Sequence, residues 1–189
     1  MIYRLKFDRF NYLVFDISAQ EIEYKLGDFF LLQEPTWKDF WKPLEAKFSD
    51  DSDDGGLAKL PDITCWFTDR LALNQTAHTA LAAPLSQYGE ILPVTCEGVP
   101  YWIFHPTKKT GMDTINLDES EREVIEECEY IGVQSLAFKE DMLSDLLIFQ
   151  TEFNGYKNIY CTEKFKSLVE KSQLKGLLFS TDVAGINEP

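Results

Sequence analysis

Nucleophilic chemistry needs a serine or cysteine within reach of a base. The chain offers two histidines, His78 and His105, and four widely spaced cysteines, Cys65, Cys96, Cys128 and Cys161. No Cys-x-x-Cys pair occurs, which argues against a zinc ribbon or a thioredoxin-like site. Each cysteine sits in or beside an apolar run and reads as a small buried hydrophobe, kept reduced. His78 lies in a segment of helical spacing and His105 ends a strand-like run before Pro106. Neither belongs to an HExxH pattern, so no zinc site is expected. Walker and Rossmann fingerprints are absent, and Gly55-Gly56 follows aspartates that would repel phosphate. Carboxylates abound, but abundance singles out no acid–base pair. The expectation is a protein that is not an enzyme and takes no metal or cofactor; a Cys/His hydrolase is the weakest alternative.

One stretch could hold a cation. Ser49 to Gly56 reads Ser-Asp-Asp-Ser-Asp-Asp-Gly-Gly, and Asp51, Asp53 and Gly56 fit positions one, three and six of a calcium loop. Position five is then Gly55 and position twelve Asp62, where glutamate is usual. A solvated acidic loop explains the stretch with fewer demands, and a calcium- or small-ligand-binding module is carried as the alternative function.

The charge itself is the distinctive feature. Across 189 residues, 32 acidic side chains outnumber 18 basic ones, for a formal charge of −14. That balance argues against binding nucleic acid or anionic lipid, and favours fast encounter with a basic partner. The acidic residues concentrate in two segments. Asp50, Asp51, Asp53 and Asp54 form one; Asp118, Glu119, Glu121, Glu123, Glu126, Glu127 and Glu129 form the other, against the single Arg122. The four aspartates and the six glutamates, with Trp37 and Trp41 as an aromatic anchor should the pair be exposed, are the candidate partner-binding residues. Aromatics four apart are more often core. Met1 opens directly into strand-like sequence without signal-peptide regions, and no apolar run reaches the roughly 20 residues of a spanning helix. A soluble cytoplasmic protein is expected.

Positioning elements follow from periodicity. An apolar content of 44% and an aromatic content of 14% imply a real core. The clearest unit is Asp145 to Phe179: the run Leu146–Phe149, turn chemistry at Asn154-Gly155, a buried strand at 158–161, then a helix capped by Thr162 with Phe165, Leu168 and Val169 on one face. Gly176 opens a last strand, Leu177–Phe179. Earlier strands are expected at 1–7, 12–17, 64–67, 89–94 and 101–106. A helix through Ala77, Ala80, Leu81 and Leu85 is expected to kink or divide at Pro84. Trp37, Phe40, Trp41 and Leu44 recur at helical spacing, although Pro43 prevents a long helix. Ser120 with Glu123 forms a capping-box pattern, yet Tyr130–Val133 is strand-like, so 121–130 reads as either helix or hairpin. The fold class is a single compact α+β unit on a mainly antiparallel sheet with a few flanking helices. Its organisation is an N-terminal lobe of unrecognised type over 1–56, with 57–189 packed on it.

Several motifs recur in a familiar order: Leu60-Pro61-Asp62-Ile63, Gly89-Glu90-Ile91-Leu92-Pro93-Val94, Tyr101-Trp102-Ile103-Phe104 and Asp113 to Ser120. Leu147-Ile148-Phe149, Ile159 to Lys166 and Leu174 to Phe179 complete the set. In that order they resemble an immunity-protein family of bacterial polymorphic toxin systems, family eleven, formerly a domain of unknown function. The resemblance covers the last two thirds of the chain, and residues 113–116 read Asp-Thr-Ile-Asn where such proteins usually carry Asp-Ala-Leu-Asp. It implies an α+β fold, no catalysis, and neutralisation of a cognate cytosol-acting toxin by direct contact. The acidic balance adds the expectation of a basic toxin surface. Neither nucleic acid nor membrane is an expected partner, and the oligomeric state is open.

Overall fold

Alternation along the strands divides the apolar side chains among three cores, one between two sheets and one on each outer face. The computed structural model describes residues 1–52, 55–56, 59–125 and 130–185. In chain order its strands begin with β1 (Ile2–Phe7), β2 (Val14–Asp16), β3 (Leu44–Ser49), β4 (Ile63–Trp66) and β5 (Arg70–Leu73). Next come β6 (Gly89–Cys96), β7 (Val99–Pro106), β8 (Lys109–Thr110), β9 (Glu121–Ile125) and β10 (Tyr130–Ser135). The last are β11 (Ile148–Thr151), β12 (Tyr160–Thr162) and β13 (Leu177–Ser180). The helices are α1 (Ala19–Leu26), α2 (Gln75–Leu85), α3 (Glu140–Leu143) and α4 (Glu163–Lys171).

The fold is α+β and antiparallel pairing dominates, as the sequence implies. One sheet runs β2-β3-β6-β7-β5-β4, a second runs β13-β1-β12-β11-β8, and β9 with β10 forms a separate hairpin. Two pairs, β3 with β6 and β11 with β8, are parallel. The six-stranded sheet curls until its edges β2 and β4 lie beside each other, a partly closed barrel. Backbone bonds tie the two sheets together: Ile159 N–H donates to Thr68 O (3.2 Å), and Asp62 and Ile63 N–H donate to Lys175 O (2.8 and 3.1 Å). Strands from both sides of position 56 share both sheets, since β1 lies between β12 and β13 and β3 pairs with β6.

Strand β7 shows the division. Trp102 and Phe104 face the core between the sheets, with Ile63, Cys65, Leu71 and Leu73. Tyr101 and Ile103 face the concave side of the barrel, with Trp66, Leu92 and Val94. Period-two alternation requires this split. Beyond the second sheet, Phe149 and Tyr160 face a third core with Ile2, Ile115, Leu136 and Phe153. The β6–β7 hairpin turns on Glu97 and Gly98, both at positive φ (51° and 80°), the left-handed conformation that lets a two-residue loop match the right-handed twist of its strands.

The Asp145–Phe179 unit forms as the spacing implies: Phe165 and Val169 are buried on α4 and Leu168 packs beside them. Thr162 stands at the N-cap, but its hydroxyl donates to Leu146 O (2.6 Å) instead of accepting a helix N–H. Two further expectations are corrected and one open alternative is resolved. Helix α2 runs unbroken past Pro84, which sits in the last turn where its missing N–H removes one bond only. Trp37 to Leu44 makes a single turn, Trp41 N–H to Trp37 O at 2.9 Å, before Leu44 enters β3. Residues 121–125 are strand, because Ser120 Oγ accepts Ala137 N–H (2.8 Å) from the neighbouring strand's end and caps no helix.

Candidate interaction surfaces

Hairpin β9–β10 belongs to neither main sheet and lies over the third core. Its alternation separates charge by sign. Glu121 and Glu123 are exposed, while Arg122 between them turns inward. The Arg122 guanidinium donates to Phe153 O (2.9 Å) and stands 5.1 Å from the Phe153 ring centre. Across the ladder Glu123 faces Gly132 and Arg122 faces Val133, then the register shifts before Glu121 meets Ser135. Asp118 and Glu119, in the turn leading into the hairpin, are also exposed. The result is an outward acidic stripe on a strand pair that Arg122 ties to Phe153. Glu126, Glu127 and Glu129 lie outside the described residues.

The other acidic segment leaves the end of β3, in a different layer. Asp50 and Asp51 are exposed; Asp50 folds back to accept Ser52 N–H (3.0 Å) and Oγ–H (2.6 Å). Asp53 and Asp54 lie outside the described residues. Among the described residues no group of three or more His, Cys, Asp or Glu side chains converges as metal ligands do.

Trp37 is not a surface anchor. It is 0% exposed, whereas Trp41 is half-buried. The two indoles stack at 5.5 Å, and each N–H is used internally, Trp37 to Glu34 O (3.0 Å) and Trp41 to Pro93 O (2.9 Å). Arg70 lies 4.5 Å from the Trp37 ring centre, bonded to Asp69 (2.7 Å) and Leu32 O (2.7 Å). Burial pushes Asp69 up and Arg70 down from their ordinary pKa values. The dehydration of each partner thus outweighs their mutual attraction.

Of the nucleophile and base candidates, His105 and three cysteines are packed away, His78 is half-buried, and Cys128 lies outside the described residues. His78 stacks on Trp102 at 4.0 Å, and burial lowers its pKa. His105 stacks on Trp37, and burial followed by the Arg70 charge takes its pKa down to about 4. Cys65, Cys96 and Cys161 are buried free thiols. Burial raises Cys65 to about 12, Cys96 to about 11 and Cys161 well above the ordinary thiol range. Such thiols are inert at neutral pH.

A surface not legible in sequence lies where β1 passes the β4–β5 turn. A cleft of about 220 Å³ opens there, lined by Arg4, Lys6, Arg9, Phe10 and Phe67 with Cys65 among its deeper residues. Phe10 and Phe67 are 64% and 48% exposed, high for phenylalanine. Phe67 has φ 54°, a left-handed conformation that costs an L-residue roughly 1–2 kcal/mol. A second cleft of about 380 Å³ adjoins it in the seam between β2 and β4, with Asp16, Lys47 and Asp51 in its wall.

No family model matches the chain, and no curated protein matches it in sequence. Among the described residues no helix is long and apolar enough to cross a membrane.

Proposed function

We propose that this is an immunity protein, which binds a cognate bacterial toxin in the cytosol and neutralises it by direct contact. The observation that carries the reading is the β9–β10 hairpin, a strand pair outside both sheets whose outward positions, Glu121 and Glu123, are acidic. The order of motifs from Leu60 to Phe179 supports it, as does the enclosure of His105 and of Cys65, Cys96 and Cys161 within the packing. An inhibitor must arrive before the toxin acts, and complementary charge raises the association rate while selecting the partner. A basic toxin face is the matching surface. Asp50 and Asp51 add a second acidic edge that a large partner could reach.

The test begins with the toxin gene neighbouring the native locus. Cells expressing that toxin survive when this protein is co-expressed, and the purified pair forms a complex. Replacing Glu119, Glu121 and Glu123 by glutamine slows association at low salt and flattens its salt dependence. Absence of both protection and complex formation overturns the reading. Protection that survives neutralisation of both acidic segments, with unchanged kinetics, moves the interface elsewhere.

A further inference from the structure

Strand β9 has an open side. Its backbone bonds to β10 and makes no other main-chain bond among the described residues. Strand β10 lies against the single turn Glu152–Asn154, whereas β9 lies closely against β10 alone. The edges of the two main sheets differ: β2 and β4 run beside each other, β13 runs beside β4, and β8 is only Lys109–Thr110. An open edge presents a row of N–H and C=O groups to which another chain can add a strand. A two-stranded hairpin is marginal by itself and gains from a third strand.

Alternation fixes what that strand must carry. Glu121 and Glu123 stand on the exposed face, and Arg122 between them turns to the covered face, where it meets Phe153. Residues directly opposite each other on neighbouring strands share a face. We propose that the β9 edge takes up an extended segment of the toxin, main chain to main chain, with lysine or arginine at alternate positions opposite Glu121 and Glu123. The inference rests on the immunity reading and names the element its partner must present, a strand with a basic–uncharged–basic pattern. Main-chain bonds supply affinity that any extended chain could use, and the two carboxylates select among such chains. Opposite charges in register strengthen the pairing, and like charges weaken it. The same carboxylates therefore keep two copies of this protein from joining through their β9 edges.

The probe is a capped peptide, Thr-Val-Lys-Val-Lys-Val-Thr, titrated at low salt into the isotopically labelled full chain and followed by NMR. Amide shifts centre on Glu121–Ile125 and saturate, with a Kd of about millimolar or tighter. Thr-Val-Lys-Lys-Val-Val-Thr, of equal composition but with its lysines on opposite faces, binds at least ~3-fold more weakly. N-methylation of the lysine amides or of the valine amides removes the donors from one edge of the peptide, and at least one of the two forms loses binding by a similar factor. Glu121→Gln with Glu123→Gln abolishes the preference for the alternating peptide. The proposal is overturned if the alternating peptide does not saturate by about 10 mM, or if the shifts centre elsewhere. It is also overturned if both lysine spacings bind equally or if neither methylated form is weakened. The immunity reading is judged apart from this, by protection and complex formation. A toxin complex that leaves amide exchange in β9 unchanged sinks the strand pairing alone; peptide pairing without protection or complex sinks the immunity reading and the toxin as the strand's source.

Discussion

The imidazole of His105 lies 4.0 Å from the indole of Trp37, with the two ring planes 9° apart. The pair holds the segment that crosses the open face of the barrel. On the neighbouring strand Glu90 accepts the backbone N–H groups of Trp37 (2.6 Å) and Lys38 (3.2 Å), fixing the same segment through its main chain. His105 Nε2–H donates to Pro35 O (3.2 Å), so the neutral ring carries its proton on Nε2. Its Nδ1 is buried with no hydrogen-bond partner among the described residues. Protonating that nitrogen would place a charge in packed surroundings beside Arg70, which is why the ring stays neutral.

Stability therefore depends on pH through His105. The unfolded chain takes up this proton near 6.5, while the folded one does so only near 4. The contribution of neutral His105 is complete above pH 6.5 and is lost as pH falls toward 4, by about 3 kcal/mol in all. Arg70 and Lys109 oppose the charged ring, whereas the bond to Pro35 O favours it. Chemical denaturation of the parent and of His105→Gln at several pH values isolates the effect from the many carboxylates. The stability gap between them narrows from pH 7 to pH 4. A gap independent of pH would show that His105 titrates normally.

Burial separates the two tryptophans. Trp37→Ala removes a fully enclosed indole and the surface on which both His105 and Arg70 rest, so it costs about 3–5 kcal/mol. Trp41→Ala removes a half-buried ring and one bond to Pro93 O, at a cost of about 1–2 kcal/mol. Denaturation midpoints with matched slopes check the order. Equal losses would mean that Trp37 is not the anchor of the segment.

What could be read from sequence was whatever depends on local spacing. Phe165 and Val169 announced the buried face of α4, and the alternating runs around Leu92 and Ile103 announced the paired β6 and β7. Helix α1 carries equally local signals: Ser18 caps it by accepting Glu21 N–H, Ile22 and Leu26 line its buried face, and Gly27 closes it at φ 95°. Trp37 and Trp41 misled because four-residue spacing fits one turn as well as a helix, and Pro43 then hands Leu44 to β3. At 121–125 the Ser120–Glu123 pattern competed with plain alternation, and the Ser120 bond to Ala137 decided for strand. The cationic cleft was not readable at all. Arg4 and Lys6 come from β1 and Phe67 from the β4–β5 turn, and only the approach of β1 to β4 joins them.

Gly176 is required twice over. Its φ is +115°, and a Cβ there would run into Pro61 and the Ile63 carbonyl, where Lys175 O receives two backbone N–H groups from the other sheet. Gly27, at φ +95°, has open space around the same position. Gly27→Ala thus carries only the backbone cost, about 1 kcal/mol, and Gly176→Ala distinctly more, about 3 kcal/mol or above. Paired thermal melts read the difference. Similar losses would mean that the junction between the sheets yields easily.

The hairpin offers the sharpest separation between holding a surface in place and presenting charge on it. Arg122 is its inward anchor, bonded to Phe153 O and standing over the Phe153 ring, while Glu121 and Glu123 on either side point outward. Arg122→Ala deletes a charge-assisted bond and the packing of a long side chain, so about 1–2 kcal/mol of stability is lost. Amide exchange rises first in β9 and β10, since the hairpin has no ladder to either main sheet. Glu121→Gln with Glu123→Gln removes exposed charge only, changes stability by less than about 0.5 kcal/mol and leaves exchange as it was. Hydrogen exchange with mass readout on the three proteins decides. If Arg122→Ala leaves hairpin protection intact, other contacts hold the strand pair down and Arg122 is not its anchor. If the glutamine variants loosen the hairpin, the carboxylates serve the fold, and the acidic stripe loses its claim to be a surface kept for a partner.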